Sequence, residues 1–391
     1  MRALWVVFAK EVLENARDRR SVTSALLFGP LFGPLLFTVL LGLAAQVETE
    51  RAEAPLTVPV VGGERAPNLM NWLRQQGVGI EPPLADPEGA VRARRARLVV
   101  VIDERFAERL GQAVPAPVRL IHDRSRRDTL TEVRRVRGLL ETYGRTVGLL
   151  RLQARGLDPG VVQALAVVEE DVSTAEGRAA ALLVMMPFFV MMSLFIGGMY
   201  LAIDTTAGER ERGTMEALLA NPVPRGVLML GKLLATVVFA LLSLVLTLAM
   251  FALSLPFLPA GALGMEISLG FGKALLILVV AAPVALPAAA LQTLIATFSR
   301  GFREAQTYVS LLVFIPMVPG LLLMLGPAPR AEWPLLIPVF AQNLLIDRIL
   351  RGEAVSVLAV LASLCTTVLL GAGLAALAAR LYRRESLLYS S

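Results

Sequence analysis

DTTAGERERGTMEALLANPVPRGVLMLGK, Asp204 to Lys232, is a charged, helix-forming stretch set between two long apolar runs, and its reading organises the rest of the chain. Glu209, Glu211 and Glu216 alternate with Arg210 and Arg212, and Leu218 and Leu219 follow. Asn221-Pro222 and Pro224 then stop any regular helix. Met215, Leu218, Leu219 and Pro222 recur at three- to four-residue spacing and are expected to share one face, against a membrane interface or in a partner's groove. The plainer alternative is a short surface helix joining two spans. So many charges are too costly in hydrocarbon for this segment to cross a bilayer itself.

Composition places the stretch in a membrane protein. Of 391 residues, 55% are hydrophobic and 18% charged, and the mean hydropathy is +0.65, outside the range of soluble domains. Six apolar stretches reach the roughly 20 residues needed to cross about 30 Å of hydrocarbon as helices. The expected spans are 21–45, 179–203, 226–258, 271–298, 307–325 and 355–379. Residues 333–346, broken by Pro334 and Pro338, are too short to span and read as interfacial or re-entrant. The single Cys365 and single His122 leave no disulfide and no His/Cys metal cluster. Residues 1–20 read as a cytoplasmic amphipathic leader. Leu4, Trp5, Phe8, Val12 and Leu13 form either an interfacial face or an ordinary juxtamembrane surface. The apolar run after the leader is longer than the core of a cleavable signal.

Between the first two spans the character changes. Residues 46–178 hold 20 of the 38 basic and 19 of the 32 acidic residues, so the region is solvated and nearly neutral. PLTVPVV (55–61), RLVVVI (97–102) and PVRLI (117–121) read as strands, and 66–76, 103–110 and 125–155 as helices, which together suggest a small α/β domain. Asp103 is expected to cap the helix after its strand. Arg92, Arg94, Arg95 and Arg97, then Arg124, Arg126, Arg127, Arg134, Arg135 and Arg137, form basic clusters suited either to phosphate or lipid headgroups or to a solvated helix face. Val161 to Val168, followed by Glu169, Glu170 and Asp171, reads as the return to the membrane.

Charge sets the orientation. With the N-terminus inside, fourteen Lys and Arg fall in inner segments and four, Lys273, Arg330, Arg348 and Arg351, in the short outer ones. This positive-inside bias puts both termini and residues 204–225 in the cytoplasm, with the tail 380–391, and the large domain outside. The fold class is therefore an all-α polytopic membrane protein, six transmembrane helices with an extracytoplasmic α/β domain inserted between helices 1 and 2.

The chain carries no Walker A loop, HExxH, GxSxG or CxxC. Catalytic, cofactor and metal sites are accordingly expected to be absent, and Lys232 reads as a membrane-edge lysine. Gln292, Thr293 and Gln306, near the inner span ends, are candidates for a translocation path or for interhelical hydrogen bonds. Glu266, Glu304 and Asp347 lie at span margins.

Gly208 to Ala235, GERERGTMEALLANPVPRGVLMLGKLLA, resembles the E-x-x-x-G-T-x-E-x-L-L-x-x-P-x-x-R…GK segment of the ABC-2 type permeases, the membrane subunits of ATP-binding cassette exporters. Glu209, Gly213, Thr214, Glu216, Leu218, Leu219, Pro222, Arg225, Gly231 and Lys232 match it, and the leader, external insertion and later spans extend the likeness over essentially the whole chain. The insertion is similar to that of the NatB-like branch of sodium and multidrug exporters. The resemblance implies that Glu209, Gly213, Thr214, Met215, Glu216, Leu218, Leu219, Pro222 and Arg225 couple to a partner ATPase holding ATP and Mg. It also implies a second permease subunit and a place in the plasma (inner) membrane, with no nucleic acid involved. The function so implied is export of a small cation, sodium included, or of an amphipathic compound. The alternative is a membrane-anchored sensor or assembly protein whose external domain binds a ligand or partner. An intramembrane hydrolase would need paired His, Asp or Glu groups that the spans lack.

Overall fold

The computed structural model describes residues 2–125, 129–158, 160, 174–220, 222–258, 268–326 and 331–382. The expected return to the membrane at 161–171, Glu266, and most of the tail 380–391 lie outside them. The chain forms two compact units, one of residues 1–46 and 172–391 and the other of 47–171.

The first unit is helical. Among the described residues, six helices are long and apolar enough to cross a membrane: M1 (Gly29–Val47), M2 (Met186–Glu211), M3 (Arg225–Phe257), M4 (Phe271–Phe298), M5 (Phe302–Leu325) and M6 (Val357–Tyr382). Backbone polar groups must be satisfied within the bilayer, so apolar runs of this length form helices. Prolines mark local departures from the α form. Thr23–Phe32, with Pro30 inside, is a π segment. Pro283 falls in a 3₁₀ turn, Ala282–Val284, within M4.

Small residues set how closely the helices approach. A Cβ on Gly198 of M2 would lie 2.8 Å from Thr236 Cγ2 of M3 and 3.1 Å from Gln292 Oε1 of M4. Gly371 of M6 abuts Pro287 of M4, at 2.9 Å from its nitrogen by the same measure. With little hydrophobic drive between helices in lipid, such close contact is what holds a bundle together. Thr38 of M1 and Ser254 of M3 share a buried hydrogen bond of 3.0 Å.

The apolar segment after M5 is a 3₁₀ turn, Trp333–Leu336, and a helix, Phe340–Leu350, which runs past residue 346. Its N-terminus is held by side chains. Val339 N–H donates to Gln342 Oε1 at 2.6 Å, and Gln342 Nε2 donates to Ser363 Oγ at 3.0 Å and Thr367 Oγ1 at 2.8 Å on M6. Val339 sits at φ 72°, a left-handed conformation rare for a β-branched residue.

The second unit carries a four-stranded sheet of order β2-β1-β3-β4, with β1 Leu56–Val61, β2 Val78–Glu81, β3 Leu98–Ile102 and β4 Val118–His122. The β1–β2 and β1–β3 pairs are parallel and β3–β4 antiparallel. Strands β1 and β3 are buried along most of their length, which explains their continuous rather than alternating apolar pattern. Strand β2 and the short helix Pro87–Arg92 are additions to the expected elements, because VGIE is too short and too polar to read as a strand. Helices Pro67–Gln75 and Leu130–Ala154 pack on the sheet. The capping role expected of Asp103 is corrected. The helix begins at Phe106, and Asp103 Oδ1 instead accepts from Arg105 N–H at 2.9 Å in an Asx-turn.

Candidate coupling site

M2 does not stop at the charged stretch. It runs on through a π segment, Asp204–Gly208, to Glu211. Inserted π turns of this kind recur at functional positions in helices. Gly213, at φ 69°, then breaks the helix at a turn, a conformation in which glycine carries no Cβ penalty. The short helix Thr214–Leu219 follows, so the helix expected over 208–220 is two pieces with a turn between them.

Each charge in the first piece has a separate anchor. Glu209 is buried and forms an ion pair with Lys232 Nζ of M3, whose ammonium also donates to Thr205 O at 2.6 Å. The expectation of a membrane-edge lysine is thereby corrected: only 1% of Lys232 is exposed, because a carboxylate 23 residues away is brought onto it. Arg210 donates to Thr297 O at 2.9 Å and Ser299 O at 3.0 Å, at the end of M4. Glu211 Oε2 accepts from Phe302 N–H at 2.7 Å, at the start of M5. Arg212 returns to Asp204 Oδ1 at 2.8 Å.

The leader helix Arg2–Arg17 completes the site. Val7, Glu11 and Asn15, one turn apart, are its buried face, and Gly231 of M3 admits it: a Cβ there would lie 2.7 Å from Val7 Cγ1. Trp5 and Leu13, expected on the same apolar face as Phe8 and Val12, are exposed. Lys10 Nζ lies 3.3 Å from both Glu11 and Glu14. Burial pushes the Glu11 carboxyl above the usual glutamate range. Lys232 and Lys10 oppose the shift, and Glu209 adds to it. A cleft of about 720 Å³ opens here, lined by Glu11, Glu14, Asp204, Glu209, Arg212, Thr214 and Leu218 among others.

In the second piece Met215 is buried with Met229 and Leu233 of M3 and Ala375, Ala378 and Tyr382 of M6. It therefore faces its own bundle rather than an outer docking surface. Thr214, Glu216 and Pro222 are exposed, Leu218 and Arg225 half-buried. This is a charged elbow tied by separate bonds to M3, M4 and M5, with Met215 packed against M6.

A family model described as ABC-2 family transporter protein matches residues 25–379. The chain belongs to this family. It is 27% identical over 322 residues, 80% of each chain, to the ABC transporter permease protein NatB of Bacillus subtilis (strain 168). This ABC-2 chain is thus a multi-pass membrane permease, a transport component rather than a catalytic one.

Within the permease, the candidate path residues differ in burial. Gln292 and Thr293 of M4 are buried. Gln292 Nε2 donates to Phe195 O of M2 and Thr293 Oγ1 to Ala289 O at 2.8 Å. Gln306 of M5 is exposed. Among the described residues no cluster of His, Cys, Asp or Glu suits a metal ion. Glu11, Tyr382 and the Gln342–Asn343 pair escaped sequence reasoning. For Glu11 the available signal was the spacing Val7-Glu11-Asn15, an apolar residue followed at one-turn intervals by two polar ones.

Proposed function

We propose that the chain is the permease subunit of an exporter driven by a separate ATP-binding cassette subunit, which holds ATP and Mg and docks on Glu216, Leu218 and their neighbours. Glu209, Gly213, Thr214, Met215, Leu219, Pro222 and Arg225 belong to the same coupling unit, and Glu209 and Met215 serve it from the inside as transmitters. The observation that carries the reading is the set of anchors on the elbow. A push on Thr214–Leu219 acts at once on M3 through Glu209–Lys232, on M4 through Arg210 and on M5 through Glu211. Interfaces of packed helices switch between discrete arrangements, and this elbow moves several of them together.

In this reading the elbow and both termini are cytoplasmic, the membrane is the plasma (inner) membrane, and the α/β domain is extracytoplasmic. Two permease chains assemble with two ATPase chains. The cargo is a small cation, sodium included, or an amphipathic compound, with Gln292 and Thr293 along its path.

The test is reconstitution with a candidate ATP-binding cassette subunit from the same organism. Glu216→Lys, at an exposed position, and Leu218→Asp, at a half-buried one, are expected to abolish permease-dependent stimulation of ATP turnover while the protein accumulates normally in the membrane. Stimulation equal to wild type in both variants would refute the assignment.

A further inference from the structure

Considered by itself, the α/β unit holds a cavity of about 670 Å³ between the helix Leu130–Ala154 and the loop that leads into β4. Pockets for small organic ligands run from about 300 to 1,000 Å³ and are mainly apolar with a few polar groups. This one fits that description: Phe106, Leu110, Val118, Leu120 and Leu140 supply apolar wall, and Arg137, Glu141 and Arg151 lie on its helical side.

Gly144 is a place where a side chain could be added toward the cavity. It lies in the middle of the helix and lines the cavity, where glycine weakens a helix. A Cβ at Gly144 would meet nothing within 4 Å, so close packing does not account for it. What its absent side chain does is leave volume. Across the cavity, Ala113 adopts φ 60°, an uncommon conformation for a residue with a Cβ, in the loop that supplies Val114 and Pro115 to the wall.

The charge is not balanced. Arg151 is committed to Leu110 O, and neighbouring Arg135 and Arg97 are committed to Ala54 O and Glu132. Arg137 is exposed and has no ion-pair partner among the described residues. Two guanidinium groups face one carboxylate, Glu141, so the rim favours a negative head. We propose that this cavity binds an amphipathic organic anion, its apolar body against Phe106, Leu110 and Leu140 and its anionic head on Arg137. The site is independent of the coupling role of the elbow.

The experiment uses the full chain in nanodiscs of neutral phosphatidylcholine, labelled with a diazirine-bearing decanoate and, separately, with the matching decylamine, and the adducts are mapped by peptide mass spectrometry. Decanoate is expected to label peptides of 110–120 and 137–151, and decylamine to label them far less. Gly144→Leu replaces glycine by a better helix former and fills the space, and should reduce decanoate labelling about tenfold, with a Tm no lower than that of the wild type. Arg137→Gln, at an exposed position, should lower decanoate labelling by about tenfold through loss of a charge-assisted bond, without raising that of the amine. Equal labelling by both probes in the wild type, or undiminished labelling in Arg137→Gln, overturns the proposal. So does undiminished labelling in a folded Gly144→Leu. If Gly144→Leu lowers the Tm, the Arg137→Gln result decides.

Discussion

At the scale of the residue, Lys232 and Glu209 are the side chains on which the elbow turns. Both are buried, and each makes the other's charge tolerable. Removing one partner of a buried pair leaves an uncompensated charge and costs about 3–5 kcal/mol, whereas replacing both with neutral groups is often close to neutral. Lys232→Met is therefore expected to lower the thermal stability of the detergent-solubilised protein strongly. Lys232→Met with Glu209→Gln should recover most of the loss, and a double-mutant cycle on Tm checks this. Glu11 gives a pH signature. Its carboxyl, raised by burial, binds its proton more readily folded than unfolded. Its contribution is thus fully present below the unfolded glutamate pKa and is lost as pH rises through the folded one. Glu11→Gln, permanently neutral, should then gain stability over wild type as pH rises to 8, and the gain should shrink toward pH 4.5. Unfolding curves of both proteins across that range measure it. Sequence reasoning found Glu209 and Lys232 as parts of a pattern and assigned Lys232 to the membrane edge. Local hydropathy carries no information about a carboxylate 23 residues distant.

At the scale of the element, the helix expected over 208–220 has one break and two roles. The break follows from Gly213 at φ 69°, and glycine at that position was visible in the sequence while its torsion was not. The inward turn of Met215 could not be read from spacing either. Periodicity shows that Met215, Leu218 and Leu219 lie near one another but not what they face, and Met215 is taken up by M3 and M6. The leader is a second case: its contact with M3 rests on Gly231, where a side chain would collide with Val7. Gly231→Leu should displace the leader while M3, apolar from Leu233 onward, stays inserted. Faster protease cleavage within residues 2–17 at unchanged membrane content is the expected result. The segment Phe340–Leu350 shows the same limit. Its length and prolines argue against a span, whereas the clasp of Gln342 on Ser363 and Thr367 comes from the fold.

At the scale of the molecule, composition and run length lead to six candidate spans, and charge bias leads to a sidedness that is directly measurable. With Cys365 replaced by Ser, a single cysteine at Glu104, exposed in the α/β unit, should react with a membrane-impermeant maleimide in intact cells. One at Glu216 should react only after permeabilisation. The reverse pattern would invert the topology and place the elbow where no ATPase could reach it.

The amino-acid sequence by itself determined the membrane class, the apolar runs, three of the four strands and the polar stretch at 204–232. These rest on properties that are local or additive along the chain: hydropathy, run length, charge and turn chemistry. Tertiary structure alone decided that Lys232 is buried on Glu209, that Arg210 and Glu211 clamp M4 and M5, that Met215 faces inward, and that Gln292 is buried while Gln306 is exposed. Each of these depends on groups far apart in sequence meeting across packed helices, where burial makes an ion pair or an unpartnered charge matter energetically in a way no local pattern records.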